Sequence, residues 1–321
     1  MSKARIFIAG HKGMVGSSIL RLLTKKGQKN LITKSHFELD LTKQTDVIKF
    51  FKKKKIDQIY LAAAKVGGIY ANSKFPAEFI YKNLMIQANV IHSAFLCGVK
   101  KILFLGSSCI YPKITKTPIN EEHLLSGKLE FTNEPYAIAK IAGIKMCQSY
   151  NRQYGKSHGL DYRCLMPSNL YGPGDNYDLK NSHVIPALIK KFHNAKKRGS
   201  SHVIIWGSGK PKREFLHVDD LARASVHVMN INKNLYYRNI GSMITHVNAG
   251  SGREITIKKL AELIKRIVGY KGRIKFDLSK PDGTLSKLMN NNRIRKLNWK
   301  NEINLESGLS EVYSDFKKNK Y

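Results

Sequence analysis

Short apolar runs alternate along this chain with stretches whose apolar residues recur at helical spacing. The first run, 5–9, is followed by a helical pattern from about residue 17, and the second, 31–33, by another over 42–51. Runs at 59–62, 102–105 and 162–166 continue the series, separated by helical patterns over 77–97 and 136–154. Strand-length apolar runs between amphipathic helices are what a parallel sheet covered on both faces requires. The pattern predicts an α/β fold of the Rossmann type, a doubly wound parallel sheet.

After Pro167 the rhythm loosens. Tyr171-Gly172-Pro173-Gly174-Asp175 is a turn cluster, and a helical pattern over 182–195 leads to an isolated strand at 203–206. A strand at 215–218 precedes a helix capped by Asp219 or Asp220, and the chain ends with a helix from about residue 256 and a strand at 274–276. The expected division is a dinucleotide-binding domain over 1–174, rejoined by 215–250, and a smaller discontinuous substrate lobe over 175–214 and 251–321. No internal repeat, low-complexity segment or separating linker interrupts the chain.

With 321 residues the chain can bury a large core, and 42% hydrophobic with 25% charged residues is ordinary for a globular protein. No apolar run reaches membrane-spanning length and the N-terminus does not read as a signal peptide, so a cytoplasmic protein without membrane contact is expected. Cys97, Cys109, Cys147 and Cys164 are widely spaced, which predicts reduced thiols and no metal site. Three of them fall in apolar patterns; Cys109 alone stands at a strand-to-loop junction. The net charge of +33 raises nucleic acid as a partner, but lysines such as Lys43, Lys49, Lys52 and Lys53 are scattered over helix faces with no aromatic-interleaved stripe. A solvated lysine-biased surface that attracts anionic small molecules is the better reading, with no nucleic-acid partner.

Gly10-His11-Lys12-Gly13-Met14-Val15-Gly16 follows the first strand and opens a helix, the context in which glycines let backbone approach a pyrophosphate. The spacing is GxxGxxG. A ribose 2′-hydroxyl calls for an acid near the end of the second strand, yet Ile32-Thr33-Lys34-Ser35-His36 supplies cationic or ionisable groups instead. A 2′-phosphate therefore fits better, held by Lys12 and His36, and the cofactor predicted is NADP(H). Asp40 and Leu41 can reach the adenine, and Ala62-Ala63-Ala64 offers small side chains beside it. Tyr136 and Lys140, four apart, share one helix face. An ammonium there lowers the phenol's pKa and grips a ribose, so that tyrosine can protonate a carbonyl oxygen as hydride arrives at carbon. Ser107 lies about thirty residues upstream, at the end of the fourth strand of the sheet. This set explains carbonyl reduction but leaves Cys109, two residues past Ser107, without a task.

Taken together these segments resemble the extended short-chain dehydrogenase/reductases. Within them the likeness is to the enzymes that epimerise GDP-4-keto-6-deoxy-D-mannose at C3 and C5 and reduce it at C4. It runs through the glycine loop, Leu61-Ala62-Ala63-Ala64-Lys65-Val66-Gly67-Gly68, Leu105-Gly106-Ser107-Ser108-Cys109-Ile110-Tyr111-Pro112 and Asn133-Glu134-Pro135-Tyr136-Ala137-Ile138-Ala139-Lys140. It continues in Asn181-Ser182-His183-Val184-Ile185-Pro186-Ala187-Leu188, Trp206-Gly207-Ser208-Gly209 and Arg213-Glu214-Phe215-Leu216-His217-Val218-Asp219-Asp220. The resemblance implies Ser107, Tyr136 and Lys140 as the reductive set, and Cys109 and His183 as the acid/base pair of epimerisation. It implies further cofactor contacts from Leu105, Gly106, Ser108, Pro167, Ser168, Asn169, Leu170 and His183, with Lys191, Trp206, Arg213 and Asp282 holding the GDP-sugar. Arg213 suits a diphosphate, whereas Trp206 reads equally well as core. Lys191 stands where some relatives carry arginine, and 156–161 holds a few extra residues. A homodimer built on the helices at 77–97 and 136–154 is also implied. The alternatives are a sugar-nucleotide 4-epimerase or dehydratase of the same fold, and a basic nucleotide- or RNA-binding protein on a Rossmann scaffold.

Overall fold

The computed structural model describes residues 4–179, 181–241, 244–280 and 282–319, so the expected chain ends at 1 and 321 lie outside the described residues. Its first half alternates: β1 (Ile6–Ala9), α1 (Met14–Lys25), β2 (Leu31–Ile32), α2 (Gln44–Lys54), β3 (Gln58–Leu61), α3 (Ile69–Lys74), α4 (Pro76–Leu96), β4 (Lys101–Leu105), α5 (Glu134–Tyr154) and β5 (Asp161–Pro167). There follow β6 (Asn169–Tyr171), α6 (Val184–Lys197), β7 (His202–Trp206), β8 (Lys212–His217), α7 (Val218–Asn230), α8 (Lys233–Ile240) and β9 (His246–Ala249). The chain closes with β10 (Glu254–Thr256), α9 (Ile257–Val268), β11 (Arg273–Asp277), α10 (Asn292–Lys296) and α11 (Leu305–Asn319).

Six strands form one parallel sheet in the order β2-β1-β3-β4-β5-β9, with Ile8 beside Tyr60 and Leu61 beside Phe104. Because successive residues of a strand point to opposite faces, each strand feeds two cores. Phe7, Ile59, Ile102 and Phe104 meet Val47 and Phe51 of α2, Val90 of α4 and Ile144 of α5 on one face. Ile6, Ile8, Tyr60 and Leu103 meet Ile19 of α1 and Leu221 and Val228 of α7 on the other. Each such fully buried side chain contributes roughly 1.5–3 kcal/mol relative to exposure. A third core gathers Leu188 and Phe192 of α6, Leu260 and Ile264 of α9, and Val312 and Phe316 of α11.

Several expectations change. The strand at 203–206 is not isolated: β7 pairs in parallel with β11, while β6, β8 and β10 form a separate three-stranded sheet. Neither Asp219 nor Asp220 caps α7. The cap is His217, whose Nδ1 accepts from the Asp219 amide at 3.2 Å. The two carboxylates tie elements together instead: Asp219 accepts from Ser18 and from Arg21 of α1, and buried Asp220 accepts from the amides of Glu302 and Ile303. Three-residue strands such as β6 and β10 are too short for a periodicity to be read in them. Cys97, placed in an apolar pattern, is only partly buried, whereas Cys147 and Cys164 are fully so.

Candidate active site

The sheet order reverses between β1 and β3, and a crevice opens there beyond the carboxyl ends of the strands, the usual ligand position in such sheets. The loop after β1 is built to bring backbone close. Gly10 has φ +85°, and a Cβ on it would lie 2.7 Å from the Ala63 amide nitrogen. A Cβ on Gly16 would lie 2.2 Å from the Gly10 carbonyl oxygen. The turn closes with the Gly13 amide donating to that same carbonyl at 3.0 Å. His11 Nδ1 and Ser168 Oγ line the same crevice, buried and without a protein hydrogen-bond partner. A cradle that excludes side chains, beside orphaned polar atoms, fits the pyrophosphate and ribose of a dinucleotide.

The loop after β2 borders the crevice through Lys34, Ser35, His36 and Asp40. Glu38 lies near it, but its carboxylate accepts from Lys34, from the Ser35 amide and from the Ser35 hydroxyl, which hold it down at about 2. Asp40 accepts from the Thr42 amide at 2.9 Å and hydroxyl at 2.7 Å through Oδ1, and it lines the crevice. Lys12 and His36 remain exposed along the crevice, with His36 Nδ1 3.8 Å from Asp40. Both acids of this loop accept hydrogen bonds within it, and two cationic or ionisable groups, Lys12 and His36, line the crevice beside them.

Ser107 ends the stretch after β4 and caps the short turn 108–110, its Oγ accepting from the Cys109 amide at 3.2 Å. Tyr136, in the first turn of α5, hydrogen-bonds Ser107. Lys140, one turn on, is buried and donates to the Leu105 carbonyl at 2.8 Å, with its Nζ 5.8 Å from the Tyr136 ring centre. Burial pushes the ammonium down to about 8. The expectation that Lys140 lowers the phenol is not met here. Burial, reinforced by the charge of Cys109, holds Tyr136 well above the ordinary tyrosine value, and only the Ser107 hydrogen bond opposes it. The phenol is therefore protonated at neutral pH. His183 caps α6 without using its side chain, which is exposed to the cavity, and desolvation by the cavity walls lowers its imidazolium below the usual value.

These groups, the glycine loop, the segment 167–170 and the residues expected to hold a nucleotide-sugar all line one cavity of about 2270 Å³. At its far end Trp206 is not core: it is 67% exposed, with Lys191 and Lys280 ammonium groups 5.8 and 5.7 Å from its ring centre. Arg213 spends Nη1 on the carbonyls of Lys212 and Thr284, so part of its fork fastens the 282–287 segment and the rest faces the cavity. Asp282 accepts from the Ser208 amide and hydroxyl at 2.8 and 2.6 Å. Asn72, Asn133 and Ser182 also line the cavity, each with a buried side-chain oxygen lacking a protein partner. Residue type alone did not single these three out. Asn133 and Ser182 do lie in two of the segments that carry the family resemblance.

Residues 6–241 match the NAD dependent epimerase/dehydratase family. The chain is 56% identical over 319 residues to the GDP-L-fucose synthase of Escherichia coli, covering 99% of this chain and 98% of that one. Among solved structures, a GDP-6-OMe-4-keto-L-xylo-heptose reductase from C. jejuni is similar at 39% identity and TM-score 0.91, covering 99% of both chains. A GDP-L-fucose synthetase from Naegleria fowleri, solved with NADP bound, is similar at 26% identity and TM-score 0.88, covering 100% of this chain and 96% of that one.

Proposed function

This chain belongs to the NAD dependent epimerase/dehydratase family, and we propose that within it the protein is a bifunctional 3,5-epimerase and NADPH-dependent 4-reductase, converting GDP-4-keto-6-deoxy-D-mannose to GDP-L-fucose. The observation that carries the reading is a thiol beside a reductase set: Cys109 shares a turn with Ser107 and lies close enough to Tyr136 to act on its charge. The similarity to GDP-L-fucose synthases, which spans nearly the whole chain, supports it.

The C4 ketone of the substrate acidifies the hydrogens on C3 and C5. A thiol, far closer to neutrality than a hydroxyl, is adequate as their base. We assign Cys109 that role and His183 the return of a proton to the enolate; desolvation by the cavity walls lowers its imidazolium and makes it a stronger acid where it forms. Bound NADPH supplies the hydride that reduces C4. Tyr136, protonated and steadied by Ser107, holds the proton destined for the C4 oxygen, and Lys140 places its charge between α5 and the ribose side of the crevice. Gly10, Gly13 and Gly16 would receive the pyrophosphate, with Lys12 and His36 on a 2′-phosphate. Lys191, Trp206, Arg213 and Asp282 would hold the GDP end of the sugar nucleotide.

The same reading includes a homodimer in the cytoplasm. Support comes from α4 and α5, which lie side by side with Tyr81, Leu96 and Ile138 left exposed along them. Among the described residues no helix is long and apolar enough to cross a membrane.

Incubation with GDP-4-keto-6-deoxy-D-mannose and NADPH in heavy water is expected to give GDP-L-fucose carrying deuterium at C3 and C5. Cys109→Ser should lose that exchange by at least about 100-fold, given the gap between thiol and hydroxyl acidity, while slow reduction of the unepimerised ketone persists. NADPH oxidation without exchange in the parent protein would leave a reductase alone, and parental exchange in Cys109→Ser would remove the thiol from the mechanism.

A further inference from the structure

Asn133 stands where an asparagine ordinarily caps a helix, immediately before Glu134 of α5. Its side chain makes no capping hydrogen bond. The amide instead turns away from the helix, and Nδ2 donates to Cys109 Sγ at 3.4 Å. A favourable cap interaction, ordinarily worth about 1 kcal/mol, is forgone for a contact with one sulfur. Hydrogen bonding to the charged form of a group favours that form, and here an amide donor points at Sγ. The other carboxamide atom, Oδ1, is buried without a protein partner on the wall of the cavity.

We propose that Asn133 is the positioning residue of the epimerisation base: its amide N–H holds the Cys109 sulfur, as the thiolate, in one orientation, and its Oδ1 takes a hydroxyl of the sugar beside that sulfur. The inference rests on the proposed epimerase role of Cys109 and assigns a task that neither Ser107 nor His183 performs. Charges near the sulfur do not supply it. From α5 the neighbour is the Tyr136 phenol, which a thiolate keeps protonated. Glu130, in the turn before Asn133, is committed to Lys113 at 3.0 Å and to Thr132.

The test is the pH profile of Cys109 alkylation by iodoacetamide, read by peptide mass spectrometry so that Cys97, Cys147 and Cys164 do not intrude. Asn133→Ala is expected to move the alkylation midpoint up by about one pH unit, roughly tenfold less thiolate at pH 7. Asn133→Asp, which sets a carboxylate in place of the amide, should move it further. Asn133→Ser, which keeps a donor at the position, should return part of the shift. Deuterium exchange at C3 and C5 should fall with the thiolate population, about tenfold in Asn133→Ala, while NADPH affinity stays at the parent value. An unmoved alkylation midpoint in Asn133→Ala and Asn133→Asp overturns the proposal, as does a loss of NADPH affinity and exchange in equal measure, which marks a merely structural cap. Absence of exchange in the parent protein would instead sink the epimerase reading, with the alkylation profile still reporting on the Asn133 contact.

Discussion

The two ends of the cavity are made of different material. At the glycine loop the walls are backbone, and Gly10 and Gly16 sit where a single added carbon would fall within 3 Å of main-chain atoms. At the substrate end the walls are side chains on the edges of small sheets: Trp206 at the end of β7, Arg213 in β8, Lys191 reaching from α6. Backbone approach fixes a ligand's position but tolerates almost no change in the chain. Long side chains tolerate change and carry selectivity. The first kind of site should fail through geometry, the second through lost contacts, and the difference can be measured.

The largest effect belongs to the backbone end. Gly16→Ala adds a methyl 2.2 Å from the Gly10 carbonyl oxygen, and neither atom can move without shifting the turn. Alanine gains about 1 kcal/mol of helix propensity over glycine, but forced overpacking against backbone costs up to about 3 kcal/mol. A net loss of about 2 kcal/mol in urea unfolding, with NADPH affinity down at least about 100-fold, is the expected outcome. Gly13→Ala is the internal control. Its Cβ would stand 3.4 Å from the same oxygen, an ordinary contact, so stability should change little. If both variants behaved alike, close backbone approach would not be what makes this end of the cavity.

Lys12 and His36 are the side-chain exception within that end, and they sharpen the comparison. Replacing both by alanine leaves the cradle intact and removes the cationic partners of a 2′-phosphate, each worth about 1–3 kcal/mol. The Michaelis constant for NADPH should rise about 30-fold or more, with that for NADH nearly unchanged and melting temperature unmoved. Equal rises for the two cofactors would show that the residues serve the loop and not the phosphate.

How much of this was legible in the sequence follows the same division. The parallel sheet was readable because β1, β3, β4 and β5 are buried on both faces and are mostly apolar, with Gln58, Lys101, Asp161 and Arg163 as their charged or amide positions. The glycine loop was readable because only glycine permits its contacts. Residue type failed at Asp219 and Asp220, where the cap signal is the same whether a carboxylate serves its own helix or Arg21 and the 302–303 amides. It left Trp206 open, since an aromatic at the end of a strand looks alike buried or bare. The substrate-end residues came from family resemblance, because long side chains that converge from β7, β8 and α6 share no spacing along the chain. Asn133 lies in a segment that carries the family resemblance, but nothing local announces that its amide faces a sulfur.

The smallest predicted effect lies at the side-chain end. An exposed indole at 67% accessibility contributes little to folding, so Trp206→Ala should change stability by less than about 0.5 kcal/mol. Its two ammonium neighbours would spread into the solvent and remain charged. What the indole can offer is a flat face to a guanine ring, and aromatic stacking on a base is worth about 1–3 kcal/mol. The Michaelis constant for the GDP-sugar should therefore rise roughly tenfold at unchanged turnover number, the pattern of an interaction equally strong in ground and transition states. NADPH affinity should not move, since the indole and the glycine loop stand at opposite ends of the cavity. A fall in turnover number at constant Michaelis constant would place Trp206 in the chemistry instead, and a loss of stability would return it to the core its sequence pattern also allowed.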